Sequence, residues 1–335
     1  MKVGLALPHY DTSLSGEDTT YAAVERVALQ AEQSGFDSVW VSDHLFVDWG
    51  KYGGPSEPQG SLECWTTMSA LAARTERVRL GSLTLCNDFR NPALVAKMAA
   101  TLQLLSGNRL EVGVGAGWYE PEYRASGITF DRAGRRIDRL GESLEIISRL
   151  LEGEELVFKG DHYTIDGAIC RPLPQRKPRL WIGGKGDRLL RTVARVADGW
   201  NFSWLGETST YRERLTAFQK ACETEDRDPS TVSRSVGVKA VVGSDEADAK
   251  RRFERLQEVT PPGLMHAFSE GGVVSWESFR RNHFAGTVAE VVDRLGELKE
   301  LEVEEVVLSL GTLPFQVADE EDVGIIGAEV APRLR

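Results

Sequence analysis

Three observations point to a (β/α)8 barrel, an α/β fold of eight parallel strands each followed by a helix. Short apolar runs alternate with amphipathic stretches from one end of the 335 residues to the other. Eight such runs occur within about 310 residues, the number that closes this barrel. The turn after Pro8 carries no GxGxxG, so an open doubly wound sheet, which normally shows that turn and fewer strands, is the second choice. A barrel of this size occupies a whole chain, so 1–335 reads as a single domain.

The first strand is Lys2 to Pro8, and Val24, Val27, Ala28 and Ala31 share one face of the helix behind it. Phe36 to Val41, introduced by Gly35 and ending at Ser42, is the second strand. A Gly- and Pro-rich loop from Phe46 to Ser61 exceeds an ordinary connection and is expected to form a lid. Trp65, Met68 and Ala72 mark the next helix, and Val78 to Leu85 is the third strand. Leu94, Val95, Met98, Leu102 and Leu105 form a helical stripe begun near Pro92, and Arg109 to Val114 is the fourth strand. Ile137, Leu140, Leu144, Ile147 and Leu151 define the longest amphipathic helix. A small hairpin, Val157-Phe158 with Tyr163-Thr164-Ile165, decorates the main body.

Strands five to seven are Leu180 to Ile182, Gly199 to Phe202 and Ser235 to Val242. Helices between them are patterned on Leu189, Val193 and Ala197, then on Tyr211, Leu215 and Phe218. After a helix over Ala247 to Glu258, residues 259–285 read as an irregular insertion with Pro261-Pro262 and Gly271-Gly272. Thr287 with Glu290 makes a capping box for a helix over Val288 to Leu298. Val303 to Leu308 is strand eight, and a last helix runs from about Ala318 to Val330.

Composition narrows the partners. The chain is 41% hydrophobic and 27% charged, ordinary for a globular protein, with a formal charge of −11 from 40 basic and 51 acidic residues. An excess of acid argues against a nucleic-acid surface and against anionic membranes, leaving a small molecule as the expected partner. No apolar run reaches the ~18 residues of a membrane span, and Met1-Lys2-Val3-Gly4-Leu5 enters a strand without a signal-peptide core. Four cysteines without CxxC spacing suggest buried thiols in a reducing compartment, so the expected location is the cytoplasm. No HxH or HExxH spacing occurs, so a metal-dependent hydrolase would lack its ligands.

In such a barrel the C-terminal strand ends carry the chemistry. Ser42-Asp43-His44 follows strand two and sets an acid beside an imidazole that can exchange a proton near neutral pH. The bland alternative is a histidine that caps backbone at the barrel mouth; position favours function. Gly113-Val114-Gly115-Ala116-Gly117-Trp118-Tyr119-Glu120 follows strand four. Its glycines either let a ligand lie against the backbone or only serve a tight turn; Trp118 and Tyr119 would wall a flat ring, and Glu120 would bond a substrate. Gly183-Gly184-Lys185-Gly186 leads strand five into a helix, where free N–H groups suit an anion as well as a plain turn. Ser82 and Thr84 end strand three and either bond a ligand or cap the strand; His9 ends strand one and is equally open.

The ordered series Val39-Trp40-Val41-Ser42-Asp43-His44, Arg77-Val78-Arg79-Leu80-Gly81, Arg90-Asn91-Pro92, Ser106-Gly107-Asn108-Arg109, Gly113 to Trp118 and Ile182-Gly183-Gly184 resembles the bacterial luciferase-like superfamily, and among its members the coenzyme F420-dependent oxidoreductases. The resemblance implies a luciferase-like TIM barrel with an extra segment around strand seven, matching 259–285, and a homodimer. It implies a deazaflavin, or alternatively FMN, in the barrel mouth. Asp43 would contact the deazaflavin and His44 would serve beside the hydride-transfer centre, with Glu120 as a second catalytic group. Ser82, Leu83 and Thr84 would back the ring, at a bulge or a cis peptide. Gly115 and Gly117 would line the cofactor, and Gly183, Gly184, Lys185 and Gly186 would hold its phosphate. In the sugar-phosphate dehydrogenases of this family a Glu directly follows the Gly-x-Gly turn, whereas here Trp118-Tyr119 intervene. An F420-dependent oxidoreductase is therefore the expected function, ahead of an FMN-dependent monooxygenase using O2 and of a non-catalytic cofactor-binding protein.

Overall fold

The computed structural model describes residues 1–11, 13–14, 18–50, 54, 56–260, 264 and 275–335. Eight parallel strands carry the fold: β1 (Lys2–Ala6), β2 (Ser38–Val41), β3 (Arg79–Ser82), β4 (Leu110–Gly115), β5 (Arg179–Gly183), β6 (Gly199–Leu205), β7 (Ser233–Gly243) and β8 (Glu305–Ser309). They pair in the order β5-β6-β7-β8-β1-β2-β3-β4, and β4 pairs back onto β5, so the sheet closes. Closure leaves no free sheet edge, and helices cover the outer face. This is why the strands read as nearly continuous apolar runs: β2, β4 and β8 are buried at every position.

Helix α1 (Tyr21–Ser34) is capped by Thr20, whose hydroxyl accepts the Ala23 N–H. The expected apolar face (Val24, Val27, Ala28, Ala31) packs on the barrel. Helices α2 (Cys64–Arg74) and α3 (Pro92–Leu105) follow, the latter with Pro92 in its first turn and Asn91 as its cap. The short α4 (Glu120–Ala125) precedes α5 (Ala133–Leu151), the long amphipathic helix expected from its stripe. Then come α6 (Asp187–Val196), α7 (Thr208–Thr224), α8 (Glu246–Val259), α9 (Trp276–Asn282) and α10 (Val288–Glu300). The capping box of α10 forms as expected: Thr287 accepts the Glu290 N–H, and Glu290 accepts the Thr287 N–H. The peripheral hairpin is also present, pairing Leu156–Lys159 with Thr164–Ala168.

Three differences from the sequence expectation have local causes. Strand three does not run unbroken to Leu85: it stops at Ser82, the Leu83–Thr84 peptide is cis, and pairing to β4 resumes at Leu85–Cys86. Residues 275–287, expected as the end of an insertion and a loop, form α9 and a strand Phe284–Thr287 paired with β7. The gain comes from Trp276 and Phe279 packing on Phe253, an aromatic cluster invisible to local periodicity. Of the expected insertion 259–285, Pro261-Pro262 and Gly271-Gly272 lie outside the described residues. The expected lid over 46–61 is pinned at both ends where Phe46–Val47 pairs with Gln59–Gly60.

The barrel interior is not purely apolar. At its floor Arg79 reaches Glu111 at 2.8 Å and Glu305 at 2.7 Å, while Arg179 holds Glu111 at 2.7 Å. Trp181 Nε1 donates to the same Glu111 (2.8 Å), and Trp40 Nε1 donates to Ser38 (2.7 Å), which itself donates to Glu305. Burial alone would raise the Glu111 carboxyl; hydrogen bonding and charge from Arg179 and Arg79 overcome it and hold Glu111 below the usual carboxylate range. The Trp40 and Trp181 rings meet edge to face, 6.3 Å between centres. Gly81 is required here, because a Cβ would collide with the Trp40 ring.

Replacing Arg79 by Met leaves two buried carboxylates short of a shared cation. We expect a loss of roughly 3–5 kcal/mol in unfolding free energy, read by urea denaturation at pH 7; an unchanged midpoint would refute the account of the floor.

Candidate active site

Above that floor, at the C-terminal strand ends, lies a cavity of about 650 Å³. The end of β2 delivers Asp43 and His44 to its wall, as expected from the sequence. His44 is fixed by a carboxylate: its Nδ1 lies 2.9 Å from Glu122 Oε1, and Glu122 Oε2 accepts the Leu45 N–H at 3.0 Å. Glu122 is only 2% exposed. A carboxylate acceptor calls for the hydrogen on Nδ1, which in the neutral ring makes Nε2 the nitrogen with the lone pair.

Asp43 also lines the cavity, but its oxygens are largely committed. Arg90 grips it bidentately, at 2.6 and 3.0 Å, and the Cys86 N–H donates to it at 2.9 Å. It therefore ties β2 to the start of α3 and to the Leu85–Cys86 segment. Leu83, Thr84, Gly115, Gly117, Gly183, Gly184 and Gly186 line the same cavity. Gly117 has a φ of +72°, and a Cβ there would collide with the Tyr123 hydroxyl. The α6 N-terminus has Gly186 as its cap with no side-chain hydrogen bond, so its first N–H groups remain available to an anion.

Three expected site residues fall outside this wall. Ser82 is fully buried between strands, its Oγ donating to Gly113 O and accepting the Gly113 N–H, each at 2.9 Å. Lys185 is exposed, its ammonium 5.5 Å from the centre of the Phe202 ring. Glu120 points to the surface and pairs with Arg124 at 2.8 Å; the helical turn of α4 gives the inward direction to Glu122 instead.

Sequence reasoning missed Tyr10, Glu122, Asn201, Lys239 and Phe315, all of which line the cavity. Tyr10 sat beside the ambiguous His9, and Glu122 lay two residues past the acid chosen. Lys239 is inward-facing on β7 and 8% exposed, and burial lowers its ammonium to about 7. Aromatic rings complete the wall: Trp118, as expected, with Trp49, Trp204 and Phe315, the last 5.4 Å from Trp204 between centres. Tyr119 is buried behind them, bonded to Asp48, and Trp276 belongs to the outer cluster. Tyr52 and His266 lie outside the described residues. His283 stacks on Phe279, outside the wall, and His9 is buried behind Ser42.

A barrel with a carboxylate-held histidine and a glycine-lined helix N-terminus at one cavity is what this geometry defines. The profile of the luciferase-like monooxygenase family matches residues 1–305. The chain belongs to that family. It is 32% identical over 241 residues to an F420-dependent glucose-6-phosphate dehydrogenase of Amycolatopsis mediterranei, covering 71% of this chain and 69% of that one. It is 30% identical over 227 residues to an F420-dependent hydroxymycolic acid dehydrogenase of Mycobacterium tuberculosis, covering 67% of this chain and 60% of the relative. Its fold matches that of an F420-dependent secondary alcohol dehydrogenase solved with an F420–acetone adduct, with a TM-score of 0.77, 23% identity, and coverage of 100% and 99%.

The two acids of α4 separate experimentally. Glu122→Ala strands the Leu45 N–H and the His44 Nδ1–H, and we expect about 1–3 kcal/mol of lost stability. Glu120→Ala, at an exposed pair, should stay within about 0.5 kcal/mol. Urea titrations of both variants check the pair, and equal losses would contradict the placement.

Proposed function

We propose that this protein is an F420-dependent oxidoreductase acting on a small organic molecule, with His44 exchanging the proton that accompanies hydride transfer. One observation carries the reading: a histidine locked by Glu122 stands on the wall of a cavity that ends in a glycine-lined helix N-terminus. F420-dependent relatives support the choice of cofactor over FMN. Bound there, F420 would supply a two-electron hydride carrier.

The residues present fit that group. Gly115 and Gly117, which lack a Cβ, with Leu83 and Thr84 on the same wall, suit a flat ring, and Gly183, Gly184 and Gly186 with the α6 N–H groups suit its phosphate. Asp43 acts through Arg90 and Cys86 as a positioning residue. Glu122 holds His44 in one tautomer, as a general acid–base histidine requires. Trp49, Trp118, Trp204 and Phe315 exclude water and favour an apolar substrate. We further propose that the chain acts as one catalytic unit, as a homodimer, in the cytoplasm. Four free, buried cysteines support a reducing compartment, and among the described residues no helix is long and apolar enough to cross a membrane.

Titration of the purified protein with F420 and with FMN tests the cofactor: saturable micromolar binding of F420 is expected, and binding of FMN alone would overturn the reading. His44→Ala should lower turnover by about 10²- to 10⁴-fold while F420 binding is retained. Glu122→Gln should also lower turnover, whereas Glu120→Gln should leave it within about twofold, as suits an exposed pair.

A further inference from the structure

Two hydrogen-bonded chains end at the cavity, and each begins at an atom that can only accept. The first runs from the Glu122 carboxylate to His44 Nδ1 on the cavity wall, and in the neutral ring Nε2 is then the acceptor. The second begins at the carbonyl of Leu7. His9 Nδ1 lies 2.8 Å from that oxygen, so the ring hydrogen belongs on Nδ1. His9 is wholly buried, and burial lowers its pKa to about 4, so at neutral pH the ring carries only that hydrogen. His9 Nε2 must then accept. The Ser42 N–H points at it from 3.3 Å, and the Ser42 hydroxyl donates to it at 2.9 Å. Having given its hydrogen to His9, Ser42 Oγ accepts from the Tyr10 hydroxyl, which is in direct contact with it. Tyr10 therefore has no hydrogen to offer the cavity; its phenol oxygen presents lone pairs only. The Tyr10 and His44 rings are centred 6.3 Å apart on the same wall.

We propose that Tyr10, with its polarity set by Ser42 and His9, is a specificity-determining residue that forms with His44 a two-acceptor wall. This wall selects apolar or aromatic compounds carrying a hydroxyl and a second hydrogen-bond donor on the neighbouring carbon, a vicinal diol or an amino alcohol. A carbonyl compound offers no hydrogen to either acceptor and gains nothing from this wall; a simple alcohol satisfies one of the two. The aromatic boundary (Trp49, Trp118, Trp204, Phe315) takes the rest of the molecule. The inference deepens the oxidoreductase reading and rests on it for the meaning of the preference: the hydroxyl-bearing partner is the one that the resting site receives.

The test is an equilibrium titration without cofactor, following tryptophan fluorescence, with 1-phenylethane-1,2-diol, 1-phenylethanol and acetophenone as probes. The wild-type protein is expected to bind the diol about fivefold more tightly than the alcohol, the scale of one net hydrogen bond, and acetophenone most weakly. Tyr10→Phe should erase the gap between diol and alcohol and leave the alcohol unchanged. Ser42→Ala frees the Tyr10 hydrogen to donate, and should tighten acetophenone relative to the diol; a residue of structural importance alone would weaken all three probes together. A diol advantage that survives Tyr10→Phe, unchanged ratios in Ser42→Ala, or no binding of any probe overturns the proposal. F420 binding, measured separately by absorbance, fails only the cofactor reading, so the two failures are distinct.

Discussion

The Arg79 guanidinium holds together the part of the molecule on which the site stands. Glu111 and Glu305 enter the barrel from β4 and β8 on either side of it. Two carboxylates in that space without a cation would repel each other and face a desolvation cost of several kcal/mol each. With Arg79 between them and Arg179 on the outer side, the same groups bind strands far apart in sequence. The Trp40 and Trp181 rings fill the layer around this network. A filled floor fixes the strand ends above it, and fixed strand ends make hydrogen-bond geometry at the cavity reproducible.

The same economy governs the site. Asp43 and Glu122 are buried acids that spend their oxygens on holding other groups: Arg90 and a backbone N–H for one, His44 and a backbone N–H for the other. Among the described residues, His44, Tyr10, Asn201 and Lys239 line the cavity among aromatic walls. Burial brings the Lys239 ammonium to about 7, so even this cation is easily neutralised. A cavity of this composition rewards an apolar molecule with a small polar end.

Most of the barrel could be read along the chain, because parallel strands buried on both faces and amphipathic helices leave distinct periodicities. The capping box at Thr287 and the glycine-rich turns after β4 and β5 were legible for the same reason. What failed was direction. Glu120 and Glu122 are two residues apart, about 200° around a helix, and which of them faces His44 depends on how α4 docks. Ser82 and Thr84 both end β3, yet the turn between them puts Ser82 inside the wall and Thr84 on the cavity. Lys185 follows the right glycines but is exposed and does not line the cavity. The strand Phe284–Thr287 escaped notice because its pairing with β7 and the aromatic cluster beneath it are both non-local.

Sequence by itself determined the strand and helix alternation, the strand ends that carry Asp43-His44 and the glycine turns, and through its ordered motifs the family. These depend on chemistry within a few residues of chain. Only the tertiary structure decided that Glu122 orients His44, that Asp43 is held by Arg90, and that His9, Ser42 and Tyr10 form a line of fixed polarity. Each of these is a hydrogen bond between residues brought together by barrel closure. Its partner, distance and direction exist only once the strands have taken their register.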